Sequence, residues 1–170
     1  MTKEVYSFIT IAAPLEEVFP YFFSLNPTVV LQELWLVPRT DKNILENSCA
    51  QPGSELSIYF EDGSMALYQL FSLVPLVSFS VHVDDFTSKR FKGLYAMRCH
   101  FSFLQLESGK IMVECHCQFN LGTRLHTILF DLFLKRIIQK KLDADLVFGA
   151  KELLYLIAKK NWLGTNANAF

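Results

Sequence analysis

The stretch IQKKLDADLVFGAKELLYLI, residues 138–157, decides the fold. Ile138, Leu142, Leu146, Gly149, Ala150, Leu153 and Ile157 recur every three or four residues, the spacing of a helix with one buried face. At about 100° per residue they fall within an arc of about 120°, while Lys140, Asp143, Lys151, Glu152 and Lys159 lie mostly off it. Such a face needs a broad partner, and the chain from Leu56 to Leu121 supplies one as short alternating strands. The pattern predicts one long C-terminal helix held in a curved sheet, with room for a ligand between them.

Two details of that helix matter. Gly149 and Ala150 place two very small residues on the buried stripe, and a glycine inside a helix costs about 1 kcal/mol relative to alanine. The space beside them is taken either by a strand packed close or by a ligand, and close packing is the commoner case. Upstream, Phe130, Phe133, Leu134 and Ile137 centre on nearly the opposite side of the same wheel, with Lys135, Arg136, Gln139 and Lys140 on what later becomes the apolar side. One straight helix cannot bury both faces. The change of phase predicts a break near Asp131 to Ile137, or a segment over 125–137 that packs elsewhere, as a separate helix or as a flap over a cavity mouth.

The 170 residues fit one domain over 1–160, followed by a polar tail over 161–170 expected to be weakly ordered. Hydrophobic residues make up 51% and charged residues 19%, with 16 phenylalanines, so apolar bulk exceeds what an ordinary core demands. A net charge of −1 with both signs interspersed lacks the electrostatic attraction on which nucleic-acid binding rests. The polar start, Met1 to Tyr6, reads as no signal peptide, and no apolar run reaches membrane-spanning length; a cytoplasmic protein is expected, with transient membrane contact left open. Four cysteines, at 49, 99, 115 and 117, have no paired spacing and are expected to be free thiols.

Val5 to Ile11 reads as a strand, and Pro14 with Glu16 and Glu17 opens a helix over Leu15 to Phe23 that Pro20 should kink or shorten. The run Tyr21, Phe22, Phe23 then falls in a bent second piece. A further strand is expected within Leu34 to Ile44. Leu56, Ile58 and Phe60 alternate with polar neighbours up to the tight turn Asp62-Gly63, which leads into Ser64 to Leu73. Val77, Phe79, Val81 and Val83 alternate with Ser78, Ser80, His82 and Asp84.

The last two strands are the most informative. Ile111, Val113, Cys115, Cys117, Phe119 and Leu121 form one face, and Tyr95, Met97, Cys99, Phe101 and Phe103 form another. A loop of Glu107, Ser108 and Gly109 brings these faces into coincidence, with Cys99 across from Cys117 and His100 across from His116.

The run from Ile9 through Ala12-Ala13-Pro14 to Phe19, together with Val74-Pro75 between two strands, the hairpin ending at Phe119 and the long last helix, resembles the START-like (SRPBCC) superfamily. The likeness is of the polyketide cyclase/dehydrase or lipid-transport kind. It implies an α+β helix-grip fold: a seven-stranded antiparallel sheet wrapped around the last helix, two short helices after the first strand, and a hydrophobic cavity. It also implies lipid, quinone or polyketide-like ligands, or a cyclase activity.

From the residues themselves, the expected wall of that interior is Phe60, Phe79, Val81, Tyr95, Met97, Cys99, Phe101, Cys115, Cys117 and Phe119 from the strands, and Leu146, Gly149, Ala150 and Leu153 from the helix. Its expected polar atoms are the Tyr95 hydroxyl, the thiols, and Gln69 or Tyr68, whose strand alternates ambiguously. Thiols in a row without a fourth ligand line a cavity more readily than they bind metal, so neither metal nor cofactor is expected. His100 with His116, and His82 with Asp84, fall on the wet face, while Arg124 and His126 fall near the expected mouth, where either could meet a ligand's polar end. An inward acid or base would be needed for acid–base chemistry, and none stands out. Hydrophobic-ligand binding is therefore the first expectation, a cyclase or aromatase the second, and an interior filled by its own phenylalanines the third.

Overall fold

A computed structural model describes residues 1–24, 51–88 and 93–167. Strand β1 (Thr2–Ile11) runs into helix α1 (Leu15–Ser24), which starts at Pro14 and buries Val18, Phe19 and Phe22. The helix passes through Pro20 unbroken, because Pro20 lies on its exposed side and one missing amide hydrogen is tolerated in a ten-residue helix. Tyr21, Phe22 and Phe23 are thus part of α1 and not of a second piece. The strand expected within Leu34 to Ile44 lies outside the described residues.

Strands β2 (Glu55–Tyr59), β3 (Met65–Val74), β4 (Ser78–Asp84), β5 (Leu94–Gln105) and β6 (Ile111–Leu121) follow. With β1 they form an antiparallel sheet in the order β1-β6-β5-β4-β3-β2, six strands among the described residues against the seven expected. The hairpins carry the predicted turns: Gly63 and Gly109 hold positive φ angles of 76° and 74°, a conformation glycine adopts without cost. The register between β5 and β6 is the expected one, Cys99 opposite Cys117 and His100 opposite His116.

Between β3 and β4 the amide of Val77 donates to the carbonyl of Val74 around Pro75 and Leu76, and Leu76 has φ +62°. That is a turn whose third position favours glycine. Leu76→Gly should therefore raise stability by about 0.5–1 kcal/mol, since Leu76 is exposed and loses little burial. Chemical denaturation of both proteins checks it; a lower midpoint for the variant would contradict the assigned strain.

After β6, Thr123 caps a short helix α2 (Arg124–Leu129), its hydroxyl accepting from the amide of His126. A π-helical turn (Phe130–Leu134) follows, closed by the amide of Lys135 donating to the carbonyl of Phe130, and then the long helix α3 (Lys135–Ala167). The break lies within the interval that the phase change marked. Helix α3 continues through the start of the stretch whose composition marks a tail.

Candidate functional site

The inner face of the sheet is built in cross-strand rows. Leu70, Val81, Cys99, Cys117 and Val5 form one row, and Leu73, Phe79, Phe101, Cys115 and Ser7 the next. Every expected wall residue but one is buried: Phe60, Phe79, Val81, Met97, Cys99, Phe101, Cys115, Cys117 and Phe119 from the strands, and Leu146, Gly149, Ala150 and Leu153 from α3. The exception is Tyr95, which is 68% exposed. A register shift between Leu94 and Ala96 leaves Tyr95 as an extra residue, so Leu94 and Met97 both face the core and the Tyr95 ring swings out to lie over Gly122. Its hydroxyl is therefore not an inner polar group. Gln69 also leaves the interior, donating to Glu55 at 3.3 Å, whereas Tyr68 packs against the core.

One end of the interior is filled with rings. Phe79 stacks on Phe101 at 4.8 Å and meets Phe23 edge-on at 5.2 Å, and Phe19 of α1 lies 5.0 Å from Phe103. At the other end Phe119 contacts Phe130 from the π-helical turn at 5.2 Å. Between them sit the three thiols, with Cys99 Sγ 2.7 Å and Cys115 Sγ 3.7 Å from Cys117 Sγ. The hydrogen bond to Cys117, then burial, holds the Cys99 thiol well above its ordinary range; for Cys115 burial comes first and the bond to Cys117 second. Hydrogen bonds from Cys115 and Cys99 act in the opposite sense on the Cys117 thiol, lowering it. All three have essentially no contact with solvent. In the native protein they should stay silent to an aromatic disulfide reagent that titrates all four cysteines after denaturation. Rapid native reaction at Cys99, Cys115 or Cys117 would mean that the interior opens. Among the described residues no group of three or more His, Cys, Asp and Glu side chains is arranged to hold a metal ion.

How α3 is held explains what it leaves uncovered. The π-helical turn before it and its own first half are tied to edge strand β1. Lys3 pairs with Asp131 at 2.5 Å, Gln139 donates to the backbone carbonyl of Tyr6 at 2.7 Å, and the buried Ser7 hydroxyl donates to Asp143 at 2.5 Å. Its second half is tied to α1, where Tyr21 donates to Glu152 and Lys160 pairs with Glu17, both at 2.8 Å. Burial, then that bond, raises the Tyr21 hydroxyl far above its usual range. Leu146, Gly149 and Ala150 lie between these anchors, on a bridge of about 13 Å at 1.5 Å per residue. Ser7 is the inward polar group that the sequence reading missed. The alternation of Val5, Ser7, Ile9 and Ile11 contains the signal, since strict period two puts Ser7 on the apolar side.

The opposite face of the sheet is wet, as expected. His100 Nδ1 lies 2.8 Å from Ser80 Oγ, His116 Nε2 lies 3.3 Å from Glu4, and His82 Nε2 lies 3.2 Å from Asp84. Tyr6 and Ser102 both donate to Glu114, and these bonds hold its carboxyl below the usual range. His126 is used locally: its ring packs over Gly93, and Nδ1 lies 2.8 Å from the Thr123 hydroxyl. Arg124 is exposed.

No protein-family model and no curated protein sequence matches the chain. Solved structures do. A norcoclaurine synthase from Thalictrum flavum aligns over 91% of this chain and 96% of its own at a TM-score of 0.60 and 11% identity. Ara h 8.0201 aligns over 86% and 99% at 0.51 and 13% identity, and a Thermus thermophilus protein over 91% and 99% at 0.57 and 14% identity. The fold is the helix-grip fold that these solved structures share. At these identities the likeness is to the fold, and the helix-grip arrangement accounts for the elements that position the site: α3 lies across the inner face, and α1 closes one end.

Proposed function

We propose that the protein binds a hydrophobic small molecule, of the lipid, quinone or polyketide-like class, between α3 and the inner face of the sheet. The observation that carries this reading is the chemistry of the inner wall. Among the described residues the buried polar side chains are Ser7, Ser80 and Ser88; Ser7 faces inward, Ser80 lies against His100 on the wet face, and Ser88 donates to Asp62. A wall of aliphatic, aromatic and thiol groups rewards desolvation of an apolar ligand and offers little to steer a polar one.

A cyclase reading draws support from the likeness to norcoclaurine synthase, one structure of which holds dopamine and hydroxybenzaldehyde. Acid–base chemistry needs a positioned proton donor or acceptor, however, and the inner wall offers three thiols, the Tyr68 phenol and one serine hydroxyl already committed to Asp143. Binding is the better supported of the two. A cytoplasmic setting belongs to the same reading, because buried free thiols suit a reducing compartment.

Titration with a fluorescent fatty acid, together with mass spectrometry of molecules extracted from the purified protein, tests the proposal. Saturable binding in a desolvated environment, and an apolar compound retained in stoichiometric amount, are expected. No saturable binding and no retained compound would favour an interior filled by its own phenylalanines, as Phe79, Phe101 and Phe103 fill the end beneath α1.

A further inference from the structure

The long helix has a second surface. On the side of α2 and α3 away from the buried stripe, Leu125, Ile128, Leu132, Phe133 and Ile137 are each half or more exposed, and Phe148 and Tyr155 continue the same side farther along. Ile137, Phe148 and Tyr155 share one angular position on α3, opposite Ile138, Leu142, Leu146 and Leu153. The face is apolar by sequence and is not covered by the sheet. No helix among the described residues is long and apolar enough to cross a membrane, so an apolar stripe here lies along a surface and does not span it.

The charges on this helical segment are sorted by direction. Its acids are engaged within the protein: Asp131 with Lys3, Asp143 with Ser7 and Gln139, Asp145 with Lys141, and Glu152 with Tyr21. Arg124, Lys135, Arg136, Lys140 and Lys151 are exposed and enter no ion pair among the described residues. A chain of net charge −1 thus presents a locally cationic strip threaded through exposed leucines and phenylalanines. We infer that the outward face of α2 and α3 docks on an anionic lipid surface, its apolar side chains entering the headgroup boundary and its cations meeting lipid phosphates and carboxylates. A second copy of the chain is the poorer occupant, because a two-fold interface through this face brings together the exposed cations of both copies with, among the described residues, no exposed unpaired acid of the same segment to meet them. The inference stands apart from ligand binding, which uses the other side of the same helix.

Flotation of the full chain with phosphatidylcholine vesicles, with and without phosphatidylserine, tests it. The protein should float with the serine-containing vesicles, and raised salt should release much of it. Two variants address the two components: Leu132→Asp with Phe133→Asp, and Arg136→Glu with Lys140→Glu. Each should cut the bound fraction about tenfold while the melting curve stays close to that of the parent, since all four side chains point to solvent. The charge-reversal pair removes no apolar contact, so it remains decisive should the aspartate pair fold poorly. Failure to float with either vesicle, equal flotation with both, or unchanged flotation of the charge-reversal pair would overturn the inference. So would a stable dimer in light scattering that Leu132→Asp dissociates, which would assign the face to a second copy. Loss of fatty-acid binding with flotation intact would count against the proposed function alone.

Discussion

Phe79→Ala should lower stability by about 3–5 kcal/mol, the range for truncating a large aromatic residue in a close-packed core. Phe79 is 1% exposed and lies within ring contact of Phe19, Phe23, Phe101 and Phe103, so it joins α1 to two strands at once. Its loss removes apolar burial, several favourable ring pairings and the support for the closing helix. Denaturant melts give the magnitude, and a cost below about 1 kcal/mol would mean that neighbouring rings collapse into the gap or that α1 is not held by this cluster. The same variant carries a second readout. If the ring cluster bounds a ligand space, the void left by Phe79 should let a longer or bulkier apolar probe bind, whereas in a filled interior it should bind nothing new.

Gly149→Leu should weaken binding of a fluorescent fatty acid at least about tenfold, equivalent to about 1.4 kcal/mol, while the fold survives. Gly149 is buried beside Ala150 on the stretch of α3 between the Asp143 and Glu152 anchors. A leucine there takes up interior volume, and the gain in helix propensity, about 0.5–1 kcal/mol, offsets part of any crowding. If a strand packs directly on Gly149, the outcome reverses: stability drops by about 1–3 kcal/mol through overpacking, and binding changes only as the folded fraction does. Melting and titration run side by side separate these cases. Unchanged melting together with unchanged affinity would remove the ligand from this part of the interior.

Much of this arrangement was legible in the residues. The pairing of Cys99 with Cys117 follows from two alternating strands and a three-residue turn ending in Gly109, because period two admits only registers of one parity and the turn selects among them. The inward stripe of α3 follows likewise from its spacing. Tyr95 was misplaced because the register shift beside it is set by strand pairing across the sheet and leaves no mark on local alternation. Ser7 was passed over because hydrophobicity picks out the face, and a small hydroxyl that gains an aspartate partner from a helix 136 residues away has no local signature. Phe133 and Ile137 marked the change of phase: these side chains face solvent, while Phe130 alone of that group turns fully inward.

The π-helical turn gives α2 and α3 separate rotational settings. An α-helix locks every side chain to one angular sequence, so moving a residue on the outer surface by one position would drag the inner stripe with it. Between Phe130 and Lys135 the hydrogen bond spans five residues in place of four, and the extra residue absorbs a step of about 100°. Upstream of the turn, Leu125 and Ile128 are oriented by the cap at Thr123 and the end of β6; downstream, Ile138 and Leu142 are oriented by the sheet. Substitutions that remodel what α2 offers to its surroundings are thereby insulated from the packing of the grip itself, so the two surfaces can diverge independently.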